Sequence, residues 1–365
     1  MTHTKVESRR LEVLRLVAPG TQLREGLERI LRAQSGALLV LGAPAKVQTL
    51  FTGGFEIGVP FTAQRLSELA KMDGALVLDS RARQILWANV HLMPDPVVPT
   101  SETGTRHRTA ERVARQTSVP VLAVSETMRT VTLYVGDWRH VLDEVGAVLT
   151  RANQAVQTLH HYRDRFDEAS GTLNALELEG VATMRALLLL LSRAELVRRL
   201  AAEVEHYIAE LGVEGRLLHL QLGELSGGVE ADELLAVRDH LPPERGSSPG
   251  SQAAAAEIGA ALGRVRSDDL SDLPAIARVM GFDGDAEEAL DTVLVPAGYR
   301  LLAKVRDLSP SVVDRVVERF GSLKVILAAG LEDLEEVEGV GPGRARQIRE
   351  GLNRLAEVSI LERYT

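Results

Sequence analysis

The 365-residue sequence contains no cysteine. Disulfide bonds and thiolate metal sites are therefore excluded, and the composition is consistent with a reducing cytoplasm, where we expect the protein to be located. The sequence also has no apolar run near the ~20 residues needed to cross a bilayer. Its first 20 residues contain no continuous apolar stretch with a cleavage site, so we find no export signal and expect no contact with a membrane.

An excess of positive charge is also lacking, because 51 acidic residues outnumber 42 lysines and arginines. A chain with a net charge of −9 is not coated with nucleic-acid-binding charge, so any site for an anion must be a local basic patch. The pattern G-x-x-x-x-G-K-[ST] does not occur, which disfavours a P-loop ATPase. What is present is an ordinary globular composition, 45% hydrophobic and 25% charged, in a chain long enough for two or three domains.

The first 145 residues have the pattern of a sheet covered by helices. Short apolar segments alternate there with segments of helical spacing, of which residues 62–72 and 106–117 are the clearest. Thr62 and Thr105 are candidate N-caps for these two helices. The predicted strands are residues 36–42, 74–79, 84–90, 120–125 and 130–135.

The rest of the chain has helical periodicity. Residues 146–285 form a predicted helical middle domain, whose apolar run at residues 187–191 is bracketed by arginines and indicates a buried helix. Residues 241–252, rich in proline, glycine and serine, predict a loop. Residues 286–365 form a second predicted helical domain. The predicted fold class is therefore multidomain, with an N-terminal α/β sheet domain followed by two all-α domains.

Two helices joined by a glycine-containing turn are predicted near the end of the chain. Leu334 and Val337 give the first helix an apolar side, and Pro342 suits the first turn of the second. The glycines of the turn tolerate positive φ and let backbone N–H groups approach a phosphate closely. The pattern resembles a helix-hairpin-helix DNA-binding motif, and a plain helical turn is the alternative. The predicted DNA-binding residues are Gly339, Gly341, Gly343, Arg344 and Arg346.

A local basic patch occurs at residues 104–112, where three arginines and one histidine fall within nine residues. One interpretation is a solvated helix face, with Glu111 and Arg115 as an i,i+4 ion pair. The other is a polyphosphate site, because glycine and threonine before a basic helix would present backbone N–H groups and the helix dipole to an anion. In such a site His107 would donate a hydrogen bond to a phosphoryl oxygen; otherwise it is an ordinary half-buried histidine.

An acidic residue precedes the second predicted strand. Asp73 stands directly before Gly74, 31 residues upstream of Gly104. A turn aspartate is the simple explanation. Beside a phosphate site, however, a carboxylate at a strand end is a typical ligand for Mg²⁺ or Mn²⁺, which bridges phosphates and keeps some of its waters.

Asp73, Gly74 and Ala75, together with residues 104–112, resemble the DGA and RHR motifs of the diadenylate cyclase domain. With a helical middle and a C-terminal helix-hairpin-helix, nearly the whole chain is similar to the DNA integrity scanning diadenylate cyclase family. The resemblance implies condensation of two ATP molecules into cyclic di-AMP with loss of two pyrophosphates. It also implies two active sites that face each other, because each protomer holds one ATP.

The resemblance implies a role for each motif residue. Asp73 would bind Mg²⁺ or Mn²⁺, and Asp73, Arg106 and His107 would be catalytic. Leu92 would lie near adenine, and Gly74 would let the nucleotide pass close to the backbone. The residues that would bind ATP are Gly74, Leu92, Thr105, Arg106, His107, Arg108, Thr109 and Ser125. Family members often have more basic residues after the serine that corresponds to Ser125. In this sequence a single arginine, Arg129, follows it, and no role is assigned to this arginine.

The resemblance further implies a homo-octamer of two stacked tetramers, and inhibition of synthesis by branched DNA bound at the C-terminal motif. Two other functions are compatible with the residues. One is a noncatalytic DNA-binding scaffold whose α/β head senses nucleotide, against which the intact Asp73 and the complete motif at residues 104–112 argue. The other is a nucleotide hydrolase, but no residue stands at a spacing from these motifs that would indicate a base able to activate a water.

Overall fold

The computed structural model describes residues 3–241, 252–282 and 290–362. The chain divides into two compact units, the first being Met1–Gln154 with Glu203–Leu220 and the second Ala155–Ala202 with Gln221–Thr365. The three-domain division made from the sequence stays a prediction, and its boundary at residue 285 falls outside the described residues. The predicted loop at residues 241–252 also lies almost wholly outside them.

The first unit contains one mixed sheet of eight strands. Across the sheet their order is β2-β5-β4-β1-β6-β7-β8, and β3 also pairs with β5. Strands β1 and β4 are parallel, whereas the other pairs are antiparallel. The strands are β1 Ala37–Leu41, β2 Phe51–Thr52, β3 Phe55–Pro60, β4 Ala75–Leu78, β5 Gln84–Leu92, β6 Val121–Ser125, β7 Thr130–Val135 and β8 Trp138–Leu142.

Helices cover both faces of this sheet, which confirms the predicted α/β class. On β1, Leu39 packs in one core with Leu27 of α2, and its neighbour Val40 packs in the opposite core with Val113 of α5. This alternation follows from the two-residue period of a strand and makes β1 buried on both faces. The helices of the sheet are α1 His3–Val17, α2 Gln22–Arg32, α3 Ala45–Gln48, α4 Ala63–Leu69 and α5 Thr105–Thr117.

The five predicted strands and both predicted helices of this unit are confirmed, and three strands were missed. Strand β2 has only two residues, and β3 is an edge strand with mostly exposed side chains, so neither has an apolar run that a sequence pattern can detect. Strand β8 is short and has two adjacent polar residues, Arg139 and His140. Thr62 caps α4 by accepting a hydrogen bond from the Arg65 N–H at 3.1 Å, as predicted.

The second unit is helical in its described residues, apart from an isolated bridge between Thr183 and Val293. It contains residues 155–179 of the long helix α6 and residues 184–202 of α7. Helix α7 confirms the predicted buried helix, because four of the five leucines at residues 187–191 are fully buried. No helix in the described part of the chain is long and apolar enough to span a membrane. The remaining helices are α6 Val145–Glu179, α7 Met184–Leu211, α8 Arg216–Ser226, α9 Val229–Asp239, α10 Gln252–Leu262, α11 Leu273–Met280, α12 Tyr299–Ala303, α13 Pro310–Phe320, α14 Leu323–Ala328, α15 Leu331–Glu335 and α16 Pro342–Glu362.

Candidate nucleotide site and C-terminal hairpin

A cleft of about 550 Å³ opens in the first unit where β4 begins, β5 and β6 end, and α5 starts. We call it the α5 cleft. Such a volume is in the range of small-molecule sites. Seven of the eight residues predicted to bind ATP line it, although they come from four separate segments of the chain. They are Gly74, Leu92, Thr105, Arg106, His107, Thr109 and Ser125.

Two predicted site residues do not line the α5 cleft. Asp73 is exposed and directly precedes Gly74, which does line it. Arg108 is exposed on α5, and its backbone N–H donates to the Gly104 carbonyl at 2.9 Å as part of the helix. The structure therefore leaves both Asp73 and Arg108 outside the lining of the cleft, each next in sequence to a residue that lines it.

The glycine at the start of β4 is required by the neighbouring strand. Gly74 has φ +116°, and a Cβ there would lie 2.9 Å from the carbonyl carbon of Asn89 on β5. Asn89 itself has φ +56°, at an irregularity in the pairing of β4 with β5. The glycine thus serves the close approach of two strands, a reason that the sequence pattern did not reveal.

The first turn of α5 faces the cleft without a side-chain cap. Gly104, not Thr105, is the N-cap residue, so the prediction that Thr105 caps this helix is wrong. Thr105 is the first helical residue, and its carbonyl accepts a hydrogen bond from the Thr109 hydroxyl at 3.0 Å. Because a glycine cap has no side-chain acceptor, no cap side chain accepts a hydrogen bond from the N–H groups of the first turn.

Arg106 is positioned by a glycine that precedes β1. An ideal Cβ on Gly36 would lie only 2.0 Å from Arg106 Nη1, so the guanidinium fills the space that a side chain at Gly36 would need. Arg106 is half-buried and lines the α5 cleft. The basic motif is therefore more than a solvated helix face, because its first arginine is packed against the sheet domain.

His107 is the first member of a chain of hydrogen-bonded side chains. His107 Nδ1 lies 2.9 Å from the Tyr134 hydroxyl oxygen, and the Tyr134 hydroxyl donates to Glu102 Oε1 at 2.8 Å. Arg139 Nε donates to the same carboxylate oxygen at 2.7 Å. Burial lowers the pKa of His107, and the charges of Arg139 and Arg106 lower it further, although Glu102 partly offsets them. Sequence reasoning missed Glu102 and Tyr134, which lie 5 and 27 residues from His107.

The last part of the basic motif is structural. Glu111 is buried and accepts hydrogen bonds from the Thr100 hydroxyl at 2.6 Å and the Ser101 N–H at 3.0 Å. It also forms the predicted ion pair with Arg115, at 2.9 Å. Arg112 Nε donates to the Val98 carbonyl at 2.9 Å. These contacts join the loop before α5 to the middle of the helix.

Ser125 closes a tight turn at the end of β6. Its hydroxyl accepts a hydrogen bond from the Met128 N–H at 3.1 Å while the residue lines the α5 cleft. Arg129 is exposed and lines a different cleft, together with Arg24 of α2. The structure therefore gives no support to a contact between Arg129 and a ligand of the α5 cleft.

The predicted C-terminal hairpin forms between α15 and α16. Gly339 has φ +83° and is exposed, and the apolar residues around it are buried in one core as the pattern predicted. Gly341 does not have positive φ, so only one of the two glycines is needed for its conformation. Arg344 Nη1 donates to the Gly339 carbonyl at 2.6 Å, which braces the turn. The buried residues of the hairpin are Leu334, Val337, Val340, Ala345, Ile348 and Leu352.

Comparisons with known proteins match both units of the chain. A family model described as DisA bacterial checkpoint controller nucleotide-binding matches residues 24–138, and one described as the DisA linker region matches residues 142–289. The DNA integrity scanning protein DisA of Frankia alni is 56% identical over 351 residues, which is 96% of each chain. The protein of the same name from Streptomyces coelicolor is 51% identical over 352 residues, 96% of this chain and 93% of that one.

Among solved structures, DacA from Staphylococcus aureus aligns with 34% of this chain and 85% of its own, at 18% identity. The TM-score of 0.29 is too low to support any conclusion.

The α5 cleft, in an α/β unit matched by the DAC nucleotide-binding family, defines the class of protein as a diadenylate cyclase. This disfavours the noncatalytic scaffold. The helical linker and the two full-length relatives narrow the assignment further. The chain belongs to the DisA family.

Proposed function

We propose that this protein condenses two ATP molecules into cyclic di-AMP and two pyrophosphates in paired α5 clefts. The observation that carries the proposal is the meeting of Gly74, Arg106 and His107 at the uncapped first turn of α5. One cleft of this size holds one nucleotide, so two chains must bring their clefts face to face. A homo-octamer would supply such pairs.

The chemistry is a double phosphoryl transfer between the two nucleotides. The 3′-oxygen of each ATP loses its proton and bonds to the α-phosphorus of the other, while the bond from that phosphorus to pyrophosphate breaks. The first turn of α5 and Arg106 would hold the triphosphate, since both present donors to an anion. Because the two substrates react with each other, alignment by the two clefts supplies much of the catalysis.

Asp73 fits the role of ligand for a divalent cation. Asp73 is exposed and directly precedes Gly74, which lines the cleft, and no cluster of three or more His, Cys, Asp or Glu side chains in the described ranges could hold a metal alone. A single carboxylate is nevertheless a suitable donor set for Mg²⁺ or Mn²⁺, because phosphate oxygens and waters complete the coordination. When bound, the cation would offset the negative charge of the phosphates.

Product analysis tests this activity. Purified protein incubated with ATP and Mn²⁺ or Mg²⁺ should yield cyclic di-AMP and pyrophosphate, identified by mass. Asp73→Asn should reduce the rate at least ~100-fold, since the amide keeps the shape but removes the charge that binds the cation. The control is Asp307→Asn, which removes an exposed carboxylate from the second unit.

Two different results would contradict two different parts of the proposal. Absence of any cyclic product from the wild type would contradict the proposed reaction. Wild-type turnover by Asp73→Asn would leave the reaction standing and contradict only the role of Asp73.

We also propose that the α15–α16 hairpin binds the DNA backbone and that branched DNA bound there inhibits synthesis. The exposed left-handed Gly339 supports this, because a turn without a side chain lets N–H groups approach a phosphate. The predicted contacts Gly341, Gly343, Arg344 and Arg346 are all exposed around it. The relatives' name, DNA integrity scanning protein, agrees with a DNA ligand.

A further inference from the structure

We propose that Glu102 and Tyr134 are positioning residues that hold His107 in the tautomer with its proton on Nδ1, so that Nε2 offers a lone pair to the nucleotide. The inference rests on the proposed function, in which His107 contacts ATP. Neither Glu102 nor Tyr134 lines the α5 cleft, and both act through the histidine, which does.

The direction of each hydrogen bond follows from the number of protons available. An ionised carboxylate only accepts, so the single hydroxyl proton of Tyr134 must be donated to Glu102. The Tyr134 oxygen then has no proton for His107, although the two atoms are 2.9 Å apart. His107 Nδ1 must therefore carry the proton and donate it to the Tyr134 oxygen.

The charges around these three hydrogen-bonded side chains favour the same protonation states. Burial raises the pKa of Glu102, but hydrogen bonds from Arg139 and Tyr134 outweigh it, so the net pKa lies below the ordinary value and the group stays ionised. Burial and the bond to Glu102 raise the pKa of Tyr134, so the phenol stays protonated. The lowered pKa of His107 keeps the imidazole neutral at physiological pH, with one proton only.

The consequence is a change in what His107 offers to the substrate. In a neutral ring with its proton on Nδ1, Nε2 is an acceptor and cannot donate to a phosphoryl oxygen. It fits a hydrogen-bond donor of the nucleotide, such as a ribose hydroxyl. This replaces the donor role expected of His107 from the sequence.

The tautomer can be observed directly, without any turnover. Full-length protein with ¹⁵N-labelled histidine is studied by NMR at pH 8, and the signals of residue 107 are identified by their loss in His107→Gln. We expect a protonated Nδ1 and an unprotonated Nε2 in the wild type, and a loss of this pattern in Tyr134→Phe. A wild-type proton on Nε2 would overturn the proposal.

Kinetics provide a second, independent readout. Tyr134→Phe should lower kcat/KM for ATP about 10-fold or more, because the ring is free to adopt the other tautomer. Glu102→Gln removes the negative charge that raises the pKa of His107 while the amide oxygen still accepts from Tyr134. The ascending limb of its pH–rate profile should therefore move to lower pH. A purely structural role would lower stability but not move that limb.

A matched control removes an equivalent hydrogen bond elsewhere in the same unit. Tyr207 donates to Glu203 at 3.0 Å on the surface of α7, so Tyr207→Phe should keep wild-type kinetics. If the wild type makes cyclic di-AMP and both Tyr134→Phe and Glu102→Gln show unchanged rates and pH profiles, the positioning role is wrong and the proposed function stands. If the wild type makes none, the proposed function fails, and the NMR spectrum still decides the tautomer.

Discussion

Gly36 and Arg106 form a contact between residues 70 positions apart, in which the absence of one side chain makes room for the other. The sequence pattern predicted that Arg106 binds phosphate but contained no sign of Gly36. The contact also accounts for a packed rather than freely moving guanidinium, which loses less conformational entropy when it binds an anion.

Gly36→Ala should therefore damage the site without damaging the fold. Its φ is not positive, so alanine suits the backbone, and the atom that must move is the end of a flexible side chain. Loss of a charge-assisted phosphate contact worth ~1.5–3 kcal/mol corresponds to roughly a 10- to 150-fold fall in kcat/KM for ATP. Steady-state kinetics with cyclic di-AMP as the measured product would test this.

Two comparisons make that result specific. Gly146→Ala, at a glycine of α6 with nothing within 4 Å of the added Cβ, should keep wild-type kinetics. In an Arg106→Ala background, Gly36→Ala should cause no further loss, because the group that it displaces is already gone. Additive effects of the two changes would show that Gly36 does not act through Arg106.

At the scale of elements, the α15–α16 hairpin shows how two similar glycines differ in role. At Gly339, a side chain would combine a left-handed φ of +83° with a Cβ only 2.7 Å from Arg315 Nη2. At Gly341, φ is not positive and an added Cβ would meet nothing within 4 Å. The fold therefore tolerates a side chain at Gly341 but not at Gly339.

We expect Gly339→Val to weaken DNA binding at least ~10-fold, because a β-branched residue resists this φ and would move the N–H groups away from the phosphate. The control is Gly223→Ala, at a glycine of α8 where an added Cβ would meet nothing within 4 Å, and it should bind DNA like the wild type. Binding to branched DNA is measured by fluorescence anisotropy at several salt concentrations, and affinity should fall as salt rises. Cyclase activity without DNA should be unchanged in both variants, and unchanged DNA affinity in folded Gly339→Val would place the DNA surface elsewhere.

At the scale of the whole molecule, buried charges in the second unit make stability depend on pH. Glu233 on α9 is 3% exposed, and its Oε1 finds no hydrogen-bond partner among the described residues. Burial and the nearby charge of Glu195 raise the pKa of Glu233 from 4.5 to about 7. A carboxyl with a raised pKa favours folding when protonated, so this contribution is complete below about pH 4.5 and is lost as pH rises through about 7.

Glu233→Gln should remove the loss of stability that accompanies ionisation of Glu233 as the pH rises. Relative to the wild type, the free energy of unfolding of the variant should rise by about 3 kcal/mol between pH 4.5 and pH 8, as the wild-type carboxyl is forced to ionise. Urea unfolding followed by circular dichroism at several pH values measures this difference. Glu224→Gln, at an exposed position of α8, serves as the control, because its charge is not among those that raise the pKa of Glu233. A difference that does not change with pH would show that Glu233 ionises normally.

The sequence by itself determined the features that depend on neighbouring residues. The central strands and α5 were predictable because apolar spacing reports which side of a strand or helix is buried. The core of the α15–α16 hairpin was predictable for the same reason, since Ala345, Ile348 and Leu352 follow one face of α16. Motif residues such as Gly74 and His107 were recognisable because they stand in short, characteristic runs.

The tertiary structure decided which distant residues meet. Glu102 and Tyr134 carry no local pattern, and they adjoin His107 only because β7 lies in the sheet against which α5 packs. Gly36 accommodates Arg106 for a similar reason, since β1 lies under the same helix. A contact of this kind depends on strand order and helix packing, which arise from the burial of the whole core. The tautomer of His107 therefore follows from the fold, whereas its presence in the motif follows from the sequence.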